Sequence, residues 1–513
     1  MFSMAFSASV VGIDGFIVQV EADVSDGLPL FDLVGFLASE VKEAKERVKI
    51  ALKNSGYVLP PKRITINLSP ADIRKEGTAF DLPIAIAILA ASGFIPQENL
   101  EDTLLIGEMS LDGRINPVTG VLPIINTAKK EGFKRCIVPK TNAREAAIIQ
   151  DIEVFGVKSL KEAIDFLNGI SMIDSEFVDI EAMFLDNKND DNLPDFSEII
   201  GQESAKRAIE IAVAGQHNAL LIGSPGSGKT MLAKRIPSIM PELSLEESLE
   251  LTKIYSISGK LNNNQALILK RPFRAPHHSS TSVALIGGGR FAKPGEITMA
   301  SHGVLFLDEL PEFHRGTLEV LRQPLEEKYI TINRLNASYT YPANFMMVAA
   351  MNPCNCGYFP DRNKCNCSLP QVKKYLSKIS RPLLDRIDIC MEMVQVDYKD
   401  LRQNKKSESS KEVRERILNA RKIQINRYKN SEIYFNSQLG PKTISKYCKL
   451  GKNEKNMLEE AFIKMNLSAR AYHRILKVAR TIADIDGAID IKERHICEAI
   501  VYRSMDKKFW EEG

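Results

Sequence analysis

Apolar and polar positions alternate in short blocks over the first 170 residues of the chain. Ile17–Ala22 and Ile64–Leu68 are apolar and β-branched, which is typical of strands. In Ser39–Asn54 the apolar residues recur every three or four positions, which predicts an amphipathic helix with Ser39 as its N-cap. Further units follow at Leu104–Ile106, Thr119–Glu131, Cys136–Val138 and Ser159–Leu167. We therefore predict a compact α/β or α+β domain over residues 1–170.

This pattern breaks after residue 170. Between Ser171 and Glu198, nine acidic residues stand against one basic residue, Lys188, and the stretch KNDDNLPD has no apolar period. Such composition is typical of a solvated linker, which we place at residues 171–195. The alternative is an acidic docking strip.

Short apolar strands separated by helical segments return in residues 196–396. Ala219–Ile222, Val304–Leu307 and Phe345–Ala350 are the clearest strands, and such runs predict a parallel sheet covered on both faces. The rest of the chain, residues 397–513, is mostly helical. Its segment 402–429 carries ten Lys and Arg against three Glu, which indicates a solvated helix face more often than a binding surface.

Composition narrows the class of protein. The 513 residues are 44% hydrophobic and 26% charged, which excludes disorder of the whole chain. With 68 basic and 65 acidic residues, any nucleic-acid site must be local. The longest apolar run, Leu82–Phe94, is shorter than the ~20 residues that span a bilayer. The start of the chain lacks the basic region of a secretory signal, so we expect a cytoplasmic protein without a membrane partner.

The strongest motif is a glycine-rich turn that fits G-x-x-x-x-G-K-[ST] at every fixed position. An apolar strand precedes it and a helical segment follows it, as a phosphate-binding loop requires. Its backbone N–H groups and the helix N-terminus would cradle a triphosphate, the lysine would contact the β- and γ-phosphates, and the threonine hydroxyl would bind Mg²⁺. The predicted ATP-binding residues are Gly223, Ser224, Pro225, Gly226, Ser227, Gly228, Lys229 and Thr230.

Polar residues also follow two later strands. Asp308 and Glu309 end the strand Val304–Leu307, at the sheet edge where α/β folds bind ligands. We assign Mg²⁺ binding to Asp308 and activation of the attacking water to Glu309. Asn352 follows the third strand and is a candidate sensor of the γ-phosphate, although an Asn-Pro pair alone is usually a turn.

Four of the eight cysteines crowd into fourteen residues. Two C-x-C pairs offer four thiolates, which suits a closed, structural Zn²⁺ site. The alternative is a loop with four reduced thiols. The predicted ligands are Cys354, Cys356, Cys365 and Cys367, whereas the scattered cysteines are expected to be small buried residues.

The order of these motifs resembles AAA+ ATPases, and the segments between them resemble the magnesium-chelatase-like ComM/YifB family. The resemblance rests on PFRAPHH (272–278), GEITMASHGVLFLDELPEF (295–313), LRQPLE (321–326), AAMNPCNCG (349–357), RPLLDRIDI (381–389) and LSARAYHRILKVARTIAD (467–484). It implies an AAA+ P-loop core, an N-terminal α/β domain like that of Lon proteases, and a C-terminal helical lid.

The resemblance also assigns two arginines. Arg386 matches the arginine finger that reaches the γ-phosphate of a neighbouring subunit, and Arg470 matches the second sensor arginine of the lid; a surface ion pair is the alternative for either. A finger that acts on a neighbour implies a ring, by family usually a hexamer. Arg381 departs from the family pattern, where glycine is more common, and offers a second cation.

The N-terminal domain is expected to lack protease activity. Lon-type peptidases need a serine nucleophile and a lysine base, but the matching positions carry Ala79 and Leu122. The alternative is a register in which the nearby Ser69 and Lys75 supply these groups. We interpret the domain as a DNA-binding or assembly module.

Two insertions are expected to face the pore of the ring, by similarity to chelatase and helicase motors. They are an exposed loop over 273–289 and a hairpin that begins at Tyr329, with Arg290, Lys293 and Arg334 placed to contact phosphates. His277 and His278 are interpreted as loop-packing residues.

Two hypotheses follow for the function. The first is an ATP-driven motor on single-stranded or branched DNA, with helicase or branch-migration activity in homologous recombination or natural transformation. Recombination proteins are candidate partners of such a motor. The second is a chelatase-type motor that remodels a protein partner. The N-terminal module and the basic segment 402–429 favour the first.

Overall fold

The chain forms two structural units in a computed structural model, which describes residues 1–188, 194–262, 265–289, 292–334, 338–395 and 407–511. Unit 1 consists of Met1–Lys188 together with Leu245–Leu269. Unit 2 consists of Asn189–Ser244 together with Lys270–Gly513. The fold class is α/β, as predicted from the sequence, while the exact domain boundaries given above stay predictions.

Unit 1 is built on a mixed sheet of seven strands, in the order β3-β4-β2-β1-β5-β6-β7. The pairs β1–β2 and β2–β4 are antiparallel, and the other neighbours run parallel. The strands are Phe2–Val11 (β1), Asp14–Ser25 (β2), Leu30–Val34 (β3), Arg63–Ser69 (β4), Thr103–Leu105 (β5), Arg135–Pro139 (β6) and Glu153–Val157 (β7).

Helices cover this sheet and bury its apolar positions. The apolar run that begins at Leu82 forms the helix Asp81–Ala91, which is buried on almost every side. No helix in the described part of the chain is long and apolar enough to cross a membrane. The predicted helix from Ser39 is interrupted at Glu43. The main helices are Ala44–Asn54, Asp81–Ala91, Val121–Lys130, Leu160–Leu167 and Ile180–Lys188.

Part of the segment predicted to be a linker is helical. The helix Ile180–Lys188 lies within it, because Ile180, Met183 and Phe184 pack against the core of unit 1. Three apolar contacts at helical spacing outweigh the acidic composition of the segment. Residues 189–193 lie outside the described part of the chain.

Unit 1 also contains a segment from the middle of the chain, Leu245–Leu269. The helix Leu245–Ser258 begins it, and Ala266 and Leu267 are buried in the same core as the helix Val121–Lys130. Ser256 accepts a hydrogen bond from the N–H of Gly120 at 3.2 Å. The chain therefore passes between the two units more than once, which the hydrophobic pattern did not indicate.

Unit 2 contains a parallel sheet of five strands, in the order β9-β10-β13-β8-β14. A separate antiparallel hairpin, β11–β12, is inserted before β13. The strands are Ala219–Gly223 (β8), Phe273–Arg274 (β9), Val304–Leu307 (β10), Tyr329–Asn333 (β11), Ser338–Pro342 (β12), Met346–Met351 (β13) and Ile389–Met393 (β14). The parallel, covered sheet and the hairpin were both predicted.

The helices Glu203–Gly215 and Lys229–Ile239, and those from Ser410 onward, share one core with this sheet. The C-terminal region is helical, as predicted. The longer helices are Glu203–Gly215, Lys229–Ile239, Leu369–Leu376, Ser410–Tyr428, Lys452–Lys464, Ala469–Ile485 and Glu493–Asp506, and shorter ones are Ser282–Ile286, Glu296–Met299, Arg315–Glu319, Arg322–Glu327, Arg381–Leu384 and Pro441–Tyr447.

The segment 273–289, predicted to be an exposed loop, is partly ordered. Phe273 and Arg274 form β9, because the Phe273 ring stacks on Phe306 of β10 at 5.7 Å between centroids. Ser282–Ile286 is helical. Arg290 lies outside the described residues.

The basic segment 402–429 is largely committed to contacts within unit 2. Arg414 donates to the carbonyl of Ser238, and Arg427 pairs with Asp484 at 2.5 Å. Arg416 contacts Glu210 at 2.6 Å. Much of its charge therefore stabilises the helix packing and does not by itself argue for DNA, while residues 402–406 lie outside the described part.

The pairing of β9 with β10 depends on Gly303, whose backbone lies close to that of Pro272. A Cβ on Gly303 would lie 2.1 Å from the carbonyl oxygen of Pro272, which itself accepts the N–H of Val304 at 2.8 Å. We expect Gly303→Ala to lower the free energy of unfolding by about 1–3 kcal/mol, since the backbone must shift. Thermal denaturation measures this change.

Gly316→Ala is the matched control, because its Cβ would meet nothing closer than 3.4 Å. The control should change the free energy of unfolding by less than about 1 kcal/mol. Equal melting temperatures for Gly303→Ala and the wild type would show that this approach is not constrained.

Candidate active site

The loop after β8 has the conformation that phosphate binding needs. Gly226 and Gly228 have φ angles of 77° and 90°, which residues with a Cβ rarely adopt. The helix that follows begins at Lys229, so its free N–H groups and positive dipole end point toward the loop. The eight residues predicted to bind ATP therefore run from the last residue of β8, Gly223, through the turn into the first residues of the helix, Lys229 and Thr230.

Lys229 connects this loop to the end of strand β13. Its ammonium donates to the carbonyls of Gly223 and Ser224 at 2.8 and 2.9 Å, and to Oδ1 of Asn352 at 3.2 Å. Burial lowers the pKa of Lys229, while the charge of Asp308 acts in the opposite direction. Asn352, which follows β13, therefore lies beside the phosphate loop, as its proposed sensor role requires.

The two carboxylates after β10 occupy different positions. Asp308 accepts a hydrogen bond from the Thr230 hydroxyl at 2.7 Å, and its other oxygen accepts the N–H of Glu309 at 2.9 Å. A hydroxyl oxygen beside a carboxylate oxygen is a donor set that fits Mg²⁺. Glu309 has a φ of 52°, and its side chain is 58% exposed and lies beside His278.

His278 is a contact of the site that sequence reasoning missed. Its Nδ1 lies 3.3 Å from Oε2 of Glu309, and its ring lies 4.0 Å from that of His277. The interpretation as a packing residue was therefore incomplete. The signal available in the sequence was a pair of histidines in a segment otherwise rich in small and polar residues.

Arg386 and Arg470 are brought together, but not at the phosphate loop. Both line a cavity of about 580 Å³ that also contains Asn218. Asn218 immediately precedes β8, whereas the phosphate loop follows that strand. A five-residue strand spans about 16 Å, so the arginines and the phosphate loop lie at opposite edges of the sheet.

Both arginines make ion pairs in this cavity. Arg386 contacts Glu326 at 2.6 Å and donates to the carbonyl of Arg322 at 3.1 Å. Arg470 lies 3.7 Å from Asp385 and its side chain is 67% exposed. Arg381, the departure from the family pattern, begins the short helix that precedes Arg386.

Charges around the cavity shift two further groups. Burial would raise the pKa of Asp388, but a hydrogen bond from His217 and the charges of Arg474 and Lys477 outweigh it and lower that pKa to about 2. Burial lowers the pKa of Lys328 to about 8, against the attraction of Asp388. The cavity is therefore a basic surface balanced by a few carboxylates.

The four clustered cysteines converge behind the phosphate loop. All four sulfur atoms lie within 4.8 Å of one another, and the Sγ atom of Cys356 lies 3.3 Å from that of Cys354 and 3.5 Å from that of Cys365. Their loop packs on the phosphate loop, since a Cβ on Gly357 would lie 2.4 Å from Pro225. The cluster could hold a metal ion.

The two positions assigned from the sequence to a Lon-type nucleophile and base have no side-chain group for that chemistry. Ala79 and Leu122 carry only hydrocarbon, and Leu122 is fully buried. The nearby Lys75 is also buried, and its ammonium donates to the carbonyls of Pro70 and Ile73. That lysine therefore ties a loop together.

Comparison with known proteins covers nearly the whole chain. Family models described as magnesium chelatase, subunit ChlI, subunit ChlI of Mg-chelatase, and magnesium chelatase, subunit ChlI C-terminal match residues 195–401, 20–142 and 407–503.

Individual relatives agree with this result. Competence protein ComM of Haemophilus influenzae is 43% identical over 507 residues, which is 98% of this chain and 97% of that protein. YifB of Escherichia coli is 41% identical over 507 residues, with the same coverage. Lon protease 2 of Bacillus subtilis is 33% identical over 129 residues, 25% of this chain and 23% of that protein. The chain belongs to the ComM/YifB family of magnesium-chelatase-like AAA+ proteins, with a Lon-like N-terminal part.

Proposed function

We propose that this protein is an ATP-hydrolysing motor that assembles into a ring and acts on DNA. The main support for this proposal is that four side chains meet at the carboxyl ends of the parallel strands. They are Lys229, which contacts Asn352, and Thr230, which contacts Asp308. In this proposal Lys229 binds the β- and γ-phosphates and Asn352 orients the γ-phosphate. Glu309 accepts a proton from the attacking water. Mg²⁺, held by Thr230 and Asp308, would neutralise charge that develops on the phosphates.

The ring is inferred from the separation of the arginines from the phosphate loop. A site that needs a cation on the γ-phosphate is incomplete in one chain if Arg386 and Arg470 lie at the opposite edge of the sheet. A neighbouring copy supplies them in a heterologous contact, which closes into a ring. We propose six subunits, by similarity to the family.

DNA as the substrate is supported by the two insertions and by one relative. Arg334 donates to the carbonyl of Gly289 at 2.6 Å, so the hairpin and the preceding insertion are joined, with the exposed Lys293 nearby in sequence. Cations on such loops bind phosphates without sequence preference. ComM is a competence protein by name, so we propose helicase or branch-migration activity in recombination or DNA uptake, in the cytoplasm.

We further propose that the four clustered cysteines bind structural Zn²⁺. In a tetrahedral site with Zn–S bonds of about 2.3 Å, the sulfur atoms lie about 3.8 Å apart. The separations of 3.3, 3.5 and 3.8 Å among three of these sulfur atoms are near that value. Four protein ligands leave no open position, so the ion would stabilise the loop.

Loss of the phosphate-loop lysine tests the site assignment. We expect Lys229→Ala to weaken nucleotide binding and abolish turnover, and Glu309→Gln to slow hydrolysis by about 10²–10⁴-fold while nucleotide still binds. Lys234→Ala, an exposed lysine of the same helix, is the control and should behave as wild type. Native hydrolysis by Lys229→Ala would show that the assignment is wrong.

The substrate class is tested by the effect of DNA on ATP hydrolysis. Single-stranded or forked DNA should raise the rate several-fold, and the stimulation should weaken at high salt as counterions compete for the phosphate contacts. A rate that ignores DNA and rises only with a protein partner would favour the remodelling hypothesis.

Metal analysis tests the cysteine site. Protein prepared without added zinc should contain about one zinc ion per chain by mass spectrometry, and the double change Cys356→Ser with Cys365→Ser should remove it. Cys136→Ser, a buried but isolated thiol, should keep the ion. A fully folded wild-type protein without metal would contradict the proposal.

A further inference from the structure

A buried histidine lies just before the strand that leads to the phosphate loop. The His217 side chain is 0% exposed. Its Nδ1 lies 3.1 Å from Oδ2 of Asp388, and its Nε2 lies 2.8 Å from Oγ1 of Thr481. Because a carboxylate only accepts hydrogen bonds, Nδ1 donates to Asp388. Both ring nitrogens are therefore bonded, which fixes the orientation of the ring.

The two partners of His217 belong to the segments that carry the arginines. Asp388 is two residues beyond Arg386, and Thr481 lies on the helix Ala469–Ile485, which also carries Arg470. His217 therefore joins the finger segment to the lid helix by one side chain.

Neighbouring contacts hold the same segment. The Asn218 side chain donates to the carbonyl of Arg386 at 2.9 Å and accepts the N–H of Met347 at 2.9 Å. From the lid, Arg474 donates to the carbonyl of Ile387 at 3.3 Å. The backbone around Arg386 is thus bonded from both sides.

The end of a helix approaches the histidine closely. A Cβ on Gly215, the last residue of the helix Glu203–Gly215, would lie 2.3 Å from Nε2 of His217 and 2.6 Å from Oγ1 of Thr481. The helix backbone therefore bounds the ring on this side and leaves no space there for a larger residue at position 215. A substitution at His217 therefore changes the hydrogen bonding of Asp388 and Thr481.

We propose that His217, acting with Asp388, is a positioning residue for the arginines that the chain supplies to its neighbour. It holds Arg386 and the lid helix in one arrangement and does not contact the phosphate site of its own chain. This inference rests on the proposed ring, in which those arginines act on a neighbour. The phosphate loop follows the far end of β8, which is bonded to β13 and β14 along its length.

Mixed rings separate this role from a general effect on folding. Lys229→Ala subunits have a defective phosphate site but intact arginines. His217→Gln subunits should have the reverse defect, since glutamine cannot reproduce both bonds of the imidazole. A misplacement of about 1 Å in such a group costs about 10²-fold in rate, so each variant alone should be nearly inactive, with nucleotide binding by His217→Gln within about two-fold of wild type.

Mixing the two variants in equal amounts should restore ATP hydrolysis. In random rings about one quarter of the interfaces combine an intact phosphate site with intact arginines, so we expect up to about one quarter of the wild-type rate. Lys229→Ala mixed with Arg386→Ala is the positive control. His495→Gln is the matched control, because His495 is also buried but its Nδ1 accepts the N–H of Lys492 at 3.0 Å; alone it should retain activity.

The outcomes distinguish the inference from the proposed function. Recovery with Arg386→Ala but not with His217→Gln would overturn the positioning role and leave the ring intact. If neither mixture recovers ATP hydrolysis, both the positioning role of His217 and the proposed ring would be overturned. If His217→Gln does not fold, Thr481→Val provides the same readout, since it removes a single hydrogen-bonding oxygen at nearly constant volume, and failure of that mixture to recover would equally overturn the positioning role.

Discussion

The shared edge of a parallel sheet is the constraint on which the proposed chemistry depends. All five strands of the unit 2 core run in one direction, so the residues that follow them meet on one side. The hydrogen bonds Thr230–Asp308 and Lys229–Asn352 join groups that are 78 and 123 residues apart in the chain. No local motif could form these two bonds, because Lys229 and Thr230 follow β8, whereas Asp308 follows β10 and Asn352 follows β13.

The opposite edge of the same sheet carries a second set of charges. Arg386 and Arg470 lie there with several carboxylates, and the buried His217 is hydrogen-bonded at both ring nitrogens. Burying such groups is costly unless each finds partners, and His217, Asp388 and Thr481 satisfy one another. A strand of only five residues separates this network from the phosphate loop, so both sets of groups are positioned by the same rigid element.

Predictions from the hydrophobic pattern succeeded where the period of a segment is itself enough to identify the element. The buried strand Val304–Leu307 and the hairpin strand Tyr329–Asn333 form as expected. They failed where burial depends on distant parts of the chain: Phe273 is drawn into the sheet by Phe306, and the helix Leu245–Ser258 joins unit 1. An apolar period shows which face of a helix is buried, but not which surface covers it.

The sequence alone determined the phosphate loop, the carboxylates after β10 and the family, because a strand, a glycine turn and a helix start are local features with fixed spacing. Tertiary structure decided which residues share a site. It placed His278 beside Glu309, separated the arginines from the phosphate loop and committed much of the basic segment to internal ion pairs. Those outcomes depend on how strands and helices pack, and side chains far apart in the chain carry no local signal of the partners that packing will supply.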